Sequence, residues 1–166
     1  MSAVPLLFDA LTLRDLDALE ALLRNEAVYE HIGGVPSSEL FRLRMTRALA
    51  GPPAARGNDR WLNFAVRDTA SGELLGRLEA TVHDGLAEVA FLIGPAHWGR
   101  GVATQGLLWM HGQLAGLPLW GTTVPANTRS QALMLRCGYR PVPPETAPNL
   151  YSYDPGDLVF TRDAGS

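Results

Sequence analysis

Two stretches of this sequence carry residues whose types and spacing could do chemistry. The first is a hairpin. Leu74–His83 and Leu86–Ile93 flank Asp84-Gly85, a pair suited to a two-residue turn in which both positions need φ > 0. Such a turn pairs His83 with Leu86, Thr81 with Glu88 and Glu79 with Ala90. Glu79, Thr81, His83 and Glu88 then share one sheet face. Glu88 would lie about 5 Å from Thr81 between Cβ atoms, and about 7–8 Å from Glu79 and His83 on the diagonals. A face with two carboxylates and an imidazole is either solvated or the wall of a cleft in which protons can be moved.

The second stretch is a strand, a glycine turn and a helix. After Gly94-Pro95 comes His97-Trp98-Gly99-Arg100-Gly101-Val102-Ala103-Thr104. Ala103, Leu107, Met110 and Leu114 then recur at helical spacing, so a helix starts near Arg100. Helix N-termini leave N–H groups unpaired and carry partial positive charge, and glycines let the backbone come close to a ligand. Residues 99–104 therefore either cradle a pyrophosphate or simply join a strand to a helix. They are not a Walker loop, which needs Gly-Lys-Ser/Thr. In Gly-x-Gly-x-x-Gly the third glycine would fall where Thr104 stands, and the acidic ribose partner about 20 residues on is missing. A dinucleotide enzyme is disfavoured.

The elements that must position these groups read as α/β. Residues 4–10 suggest an edge strand. Thr12 and Asp15 resemble a capping box, and Leu16, Leu19, Leu22, Leu23 and Ala27 predict one amphipathic helix over 13–30. Pro36-Ser37-Ser38-Glu39 opens a helix to about Ala50, and 51–60 is a loop. Residues 61–67 alternate as a strand before the hairpin. Residues 119–124 form a strand, and Asn127 caps a helix with Ser130, Leu133, Met134 and Cys137 along one side. Gly138 suits the position after it. Residues 141–149 read as a proline-rich loop and 157–162 as the last strand. This order argues for a mixed sheet rather than a doubly wound parallel one.

Composition narrows the classes. With 166 residues, 46% hydrophobic, the chain fits one domain over residues 1–166 and can bury a core without disulfides or a structural metal. A net charge of −3 gives no support for a nucleic-acid surface. Cys137 is the only cysteine, so a cysteine-based zinc site is excluded. His31, His97 and His111 show no metal-ligand spacing and suit surface or loop roles. No metal is implied. The N-terminal stretch lacks a basic region and does not read as a signal peptide, and no run approaches a membrane span of roughly 20 apolar residues. A cytoplasmic location is expected. All 14 basic residues are arginine, which points to a GC-rich, bacterial genome.

Ala87-Glu88-Val89-Ala90-Phe91-Leu92-Ile93-Gly94-Pro95, then Trp98-Gly99-Arg100-Gly101-Val102-Ala103-Thr104, then Asn127-x-x-Ser130 and Arg136-Cys137-Gly138-Tyr139 resemble the acyl-CoA-binding core of the GNAT acetyltransferase superfamily. The detail is most similar to its RimJ/RimL-like branch of ribosomal-protein N-terminal acetyltransferases. The resemblance spans roughly residues 60–142. It implies a mixed, mostly antiparallel sheet of six to seven strands, flanked by about four helices. The sheet would splay between the strands at 86–93 and 119–124. Acetyl-CoA is the implied co-substrate. Its pantetheine arm would pair with backbone of Phe91, Leu92 and Ile93. The pyrophosphate would rest on backbone N–H groups of Arg100, Gly101, Val102, Ala103 and Thr104. Asn127 would contact the arm, cap its helix, or both. Arg129 or Arg136 approaches a phosphate or is a solvated helix charge.

The implied reaction moves an acetyl group to a primary amine. Deprotonating an alkylammonium of pKa about 10.4 at pH 7 costs about 4.6 kcal/mol, and an α-amine of pKa about 8 only about 1.4. The resemblance makes Glu88 the general base, with a structural carboxylate as its bland alternative; Glu79 or His83 could act instead through water. Many relatives carry an acidic tyrosine where this chain has Met134, so Ser130 is the proton donor expected, unless it is only a capping hydroxyl. The acceptor is a protein N-terminal α-amine by branch, or a small amine, amino acid or antibiotic; the resemblance implies that the acceptor half of the site comes from the N-terminal helices and the loops at 51–60 and 141–157. A non-catalytic acyl-CoA-binding module is the rival from another class. A homodimer is an expectation by analogy alone.

Overall fold

The computed structural model describes residues 3–166; Met1 and Ser2, at the start of the stretch read above for a signal peptide, lie outside them. Among the described residues seven strands form one sheet: β1 (Leu6–Ala10), β2 (Arg60–Asp68), β3 (Leu74–His83), β4 (Leu86–Ile93), β5 (Leu119–Thr123), β6 (Arg140–Val142) and β7 (Leu158–Arg162). Their spatial order is β1-β2-β3-β4-β5-β7-β6. Every pairing is antiparallel except β4 with β5. The helices are α1 (Leu16–Leu23), α2 (Glu26–Tyr29), α3 (Ser38–Ala50), α4 (Val102–Gln113) and α5 (Thr128–Arg136).

The hairpin has the predicted register. Asp84 (φ 48°) and Gly85 (φ 74°) both take positive φ, which matches the right-handed twist of the flanking strands. His83 pairs with Leu86, Thr81 with Glu88 and Glu79 with Ala90. Because side chains alternate, that one turn decides which residues face the site.

The two sheet faces bury different clusters. Leu78, Ala80, Ala87 and Val89 pack with Val102, Leu107, Met110 and Leu133 of α4 and α5. Gly106 lets α4 close on β3, since a Cβ there would stand 3.0 Å from Leu78 Cδ2. On the opposite face, Leu19 and Leu23 of α1 and Phe41 and Met45 of α3 cover Ala65 and Leu74. These helices cover the Leu74 end of β3, and the other end, where Thr81 pairs with Glu88 of β4, is lined by loop residues and by Ala48 of α3.

Two local readings are corrected. The 13–30 helix is broken into a 3-10 turn at Leu13–Asp15, α1 and α2. Asn25 makes the break: its Oδ1 accepts from the Val28 N–H at 3.0 Å, capping α2, while its Nδ2 donates to the Leu22 carbonyl at 3.0 Å. The proline-rich stretch also contains a strand, β6, paired antiparallel to β7 at the sheet edge, the one place where Pro141 needs no second ladder bond.

Candidate active site

Glu88 is buried in the middle of the predicted face and its carboxylate is fully occupied. Oε1 accepts from the Ser152 N–H at 2.9 Å and the Ser152 hydroxyl at 2.6 Å. Oε2 accepts from the Tyr151 N–H at 2.8 Å and lies 2.5 Å from His83 Nε2. Burial alone would raise its pKa, but the donors from Ser152, Tyr151 and His83 outweigh burial and hold the carboxyl below its ordinary range. The buried His83 sits between two carboxylates, with Nδ1 2.8 Å from Asp84 Oδ2. Burial disfavours its charge, yet Asp84 and Glu88 together raise its pKa.

In front of this pair lies a cleft rather than open solvent. A cavity of about 210 Å³ is lined by Glu79, Thr81, Glu88, Val89, Tyr151 and Ser152, among others. A second of about 160 Å³ is lined by Arg56, Trp61, Asn63 and, again, Glu79, Thr81 and Tyr151. The shared residues make the two adjoin, so one groove runs from β4 across β3 to β2. Glu79 is half-exposed there. Its Oε2 pairs with Arg77 Nη2 at 2.8 Å, and its other oxygen has no partner among the described residues. Arg77 also donates to Asn63 Oδ1 at 2.6 Å. Trp61 Nε1 is buried without a partner among the described residues.

Beside the cleft the sheet opens. β4 and β5 pair only at Ala87–Leu119 and Glu88–Trp120. The Ala87 N–H donates across this seam to the Pro118 carbonyl at 3.0 Å. By alternation, the main-chain groups of Val89, Phe91 and Ile93 point the same way, into the widening gap, while those of Leu92 belong to the ladder with Arg77. The Ile93 carbonyl is taken by Trp98 Nε1 at 2.8 Å. Val89 and Phe91 thus offer the free edge, a place where an extended amide chain can add as a strand.

The gap leads to the glycine turn. Gly99 (φ 74°) and Gly101 (φ 77°) are both left-handed, and a Cβ on either would meet nothing within 4 Å. Conformation, not crowding, demands glycine here. The first helical bond of α4 runs from the Gln105 N–H to the Gly101 carbonyl at 3.0 Å, so Val102, Ala103 and Thr104 precede it with N–H groups free of that ladder. Arg100 and Gly101 donate no main-chain hydrogen bond among the described residues, and Arg100 Nη1 lies 3.3 Å from His97 Nδ1. Two further arginines converge: Arg129 lies over the Trp98 ring at 3.9 Å, and Arg136 Nη2 comes within 3.5 Å of Thr104 Oγ1. The arrangement fits a pyrophosphate by its donors and its charge.

α5 borders the same region. Asn127 Oδ1 caps it, accepting from the Ser130 N–H at 3.1 Å, which leaves Asn127 Nδ2 uncommitted among the described residues. The Ser130 hydroxyl has no partner among them either. Met134 is buried in the core, its Sδ 2.9 Å from where a Cβ on Gly121 would stand, so no hydroxyl replaces the missing tyrosine at that position. Two histidines expected in surface or loop roles are drawn inward. His97 is buried, and half-buried His111 meets the Tyr139 hydroxyl at 2.9 Å; burial, aided by Arg162, lowers His111 to about 4.

Sequence reasoning missed Arg56, Trp61, Tyr151 and Ser152 as individual site residues. It identified only the loops that carry Arg56, Tyr151 and Ser152. The signal available for Tyr151 was a pair of aromatics, Tyr151 and Tyr153, in a polar, proline-flanked loop.

The chain's residues 6–140 match the family model described as "Acetyltransferase (GNAT) domain". No curated protein matches the sequence. Among solved structures, an acetyltransferase (GNAT family) from Bacillus anthracis is 17% identical, with 97% of this chain and 96% of that one covered at a TM-score of 0.74. RimL, the ribosomal L7/L12 alpha-N-protein acetyltransferase in complex with coenzyme A, is 18% identical over 98% of each chain, also at 0.74. A phosphinothricin acetyltransferase from Sinorhizobium meliloti in complex with AcCoA is 16% identical over 95% and 87%, at 0.66. The match of the family model over most of the chain, on a sheet that opens beside a glycine-bearing helix N-terminus, places this protein in the GNAT family as an acetyl-CoA-dependent N-acetyltransferase.

Proposed function

We propose that the acceptor is an α-amine of low pKa, held in the groove over β2 and β3 with its nitrogen at Glu79 and Thr81. The observation that carries this is the state of the carboxylates. Glu88 has no lone pair left for an incoming ammonium, and Glu79 is partly engaged by Arg77. A site without a strong base suits an amine whose deprotonation costs about 1.4 kcal/mol at pH 7 rather than about 4.6. Glu79, through its uncommitted oxygen or one water, takes the proton in place of Glu88. The freed nitrogen lone pair forms the new bond to the acetyl carbon, the carbon–sulfur bond breaks, and the sulfur leaves as thiolate.

The remaining residues hold the donor. Main-chain groups of Phe91 and the N–H of Ile93, with Leu92 completing the strand, receive the pantetheine arm; the Val89 N–H would meet the carbonyl oxygen as it gains charge. Arg100, Gly101, Val102, Ala103 and Thr104 grip the pyrophosphate by N–H groups. Asn127 contacts the arm through Nδ2, and the Ser130 hydroxyl relays to the thiolate the second proton that the acylated nitrogen sheds, so that the amide and the free thiol leave and the hydroxyl is restored. The glycine-turn motif and the likeness to RimL support a protein or peptide N-terminus as acceptor, as in the ribosomal-protein branch. The modest size of the two cavities, walled by Tyr151, favours a second reading, a free amino acid or similar small amine.

The test is thiol release from acetyl-CoA with peptides bearing free N-termini, amino acids and alkylamines at pH 7. Turnover of α-amines is expected to exceed that of alkylamines at least tenfold. Exclusive turnover of alkylamines would overturn the proposal.

A further inference from the structure

We infer that Glu88 and His83 are positioning residues: a buried pair that fastens segment 150–152 as a wall of the acceptor groove and thereby sets acceptor affinity. The inference rests on the acetyltransferase reading only for its kinetic arm.

Three observations converge on it. The first is the distribution of donors on Glu88. Three of its four hydrogen bonds come from Tyr151 and Ser152, more than 60 residues away in sequence, and the fourth from His83. Two are from main-chain N–H groups, so the carboxylate fixes the backbone of the segment itself. A carboxylate has about four acceptor sites, and here all are spent within the protein.

The second is a stack. The Tyr151 ring lies on the His83 imidazole with centroids 3.9 Å apart and planes 13° from parallel. The Arg56 guanidinium stands 4.4 Å from the Tyr151 centroid, necessarily on the ring's other face, since the imidazole fills the first. His83, Tyr151 and Arg56 therefore form one column that joins the end of β3 to the 150–152 segment and to the loop before β2.

The third is where that column stands. Tyr151 lines both cavities, and Ser152 lines the one next to Val89. Segment 150–152 has no helix or strand to hold it. Apart from Glu88 it is tied by Leu150, buried against Leu86 and Val159, and by the Thr122 hydroxyl, 3.1 Å from the Ser152 carbonyl and 2.9 Å from the Ser152 hydroxyl. Leu150 and Thr122 fix its ends, and Glu88 with His83 fixes the ring that faces the acceptor.

The experiment compares wild type with Glu88→Gln and Ser152→Ala. Amide hydrogen exchange is read at residues 151 and 152, and steady-state kinetics are read with a short peptide bearing a free N-terminus. The carboxamide introduced by Glu88→Gln keeps an oxygen for one N–H but loses the charge and two acceptor sites. Exchange at 151 and 152 is expected to quicken at least tenfold while the β3–β4 ladder keeps its protection. The peptide KM should rise about tenfold, with kcat within threefold and the acetyl-CoA KM unchanged. Ser152→Ala, which leaves the carboxylate in place, should shift both readouts in the same direction by less, and it decides the matter if Glu88→Gln does not fold. A fall in kcat of a hundredfold with the peptide KM unchanged would make Glu88 the proton acceptor and overturn the inference. Unaltered exchange at 151 and 152 would overturn it as well. If wild type turns over no amine, the functional reading fails by itself, and the exchange measurement still decides whether Glu88 holds the segment.

Discussion

The Arg129 guanidinium covers the Trp98 ring at 3.9 Å, joining the first turn of α5 to the glycine turn before α4. Trp98 is itself fixed, its Nε1 donating to the Ile93 carbonyl at 2.8 Å. Arg129 thus braces the turn and adds positive charge where a pyrophosphate is expected. A cation–aromatic contact at a partly exposed site contributes about 0.5–1 kcal/mol. Arg129→Ala should weaken coenzyme A binding about three- to tenfold by calorimetry. Part of the loss should vanish at high salt, because the charge is screened and the stacking is not. Equal affinity for the two proteins at low salt would mean that Arg129 is a solvated helix charge.

Gly101 and Gly112 make a matched pair for backbone effects. Gly101 holds φ 77° with open space around it, so alanine there meets only the left-handed penalty of about 1–2 kcal/mol. Gly112 is exposed within α4, has no positive φ and also has open space, so alanine there gains about 0.5–1 kcal/mol of helix propensity. At about 2–4 °C per kcal/mol for a chain of this size, Gly101→Ala should melt roughly 2–8 °C lower and Gly112→Ala slightly higher. Only Gly101→Ala should also lose coenzyme A affinity, since only it reorients the turn. Scanning calorimetry with and without coenzyme A checks both.

What could be read in advance follows from how locally each feature is encoded. The Asp84-Gly85 turn contains its own register, so the common face of Glu79, Thr81, His83 and Glu88 was legible from the two flanking strands alone. The Ala103–Leu107–Met110–Leu114 stripe likewise specified α4. The break at Asn25 was hidden because apolar spacing runs straight through it, and only the side chain's bonds to Leu22 and Val28 stop the helix. β6 was hidden because three residues containing a proline carry no strand pattern; its partner β7 makes it a strand. The occupancy of Glu88 was least legible of all. Three of its four donors lie in a loop whose position depends on Leu150 reaching Leu86 and Val159, a contact no motif announces.

The His83–Glu88 pair makes stability depend on pH in a definite sense. His83 titrates above its ordinary 6.5 in the folded state, its carboxylate neighbours overcoming burial. Its contribution is therefore fully present below about pH 6.5 and is lost as pH rises through the folded value. Glu88 titrates below its ordinary 4.5, its donors overcoming burial. Its contribution is present above about pH 4.5 and is lost as pH falls through the folded value. The two overlap most fully between those limits. Breaking a buried pair by removing one partner costs about 3–5 kcal/mol. His83→Gln should cost the lower end of that, since Ser152 and Tyr151 still hold Glu88. The melting-temperature gap to wild type should be widest between about pH 4.5 and 6.5 and narrow as pH rises above that window. A gap that does not narrow above the window would show that His83 contributes packing and no charge.

The pH dependence of turnover separates acceptor classes by the amine alone. If the reacting form is the neutral amine, kcat/KM at low saturation rises about tenfold per pH unit until the amine's own pKa. For an α-amine the rise should level near about pH 8, and for an alkylamine it should continue toward about pH 10. Glu79→Gln removes the groove carboxylate that has an uncommitted oxygen and keeps a side chain of the same size. It should lower kcat/KM for the α-amine about a hundredfold, at the low end for loss of a general base, with coenzyme A affinity unchanged because neither cavity that Glu79 lines includes a residue of the glycine turn. A variant with full activity and an unaltered profile would move the proton's destination from Glu79 to solvent.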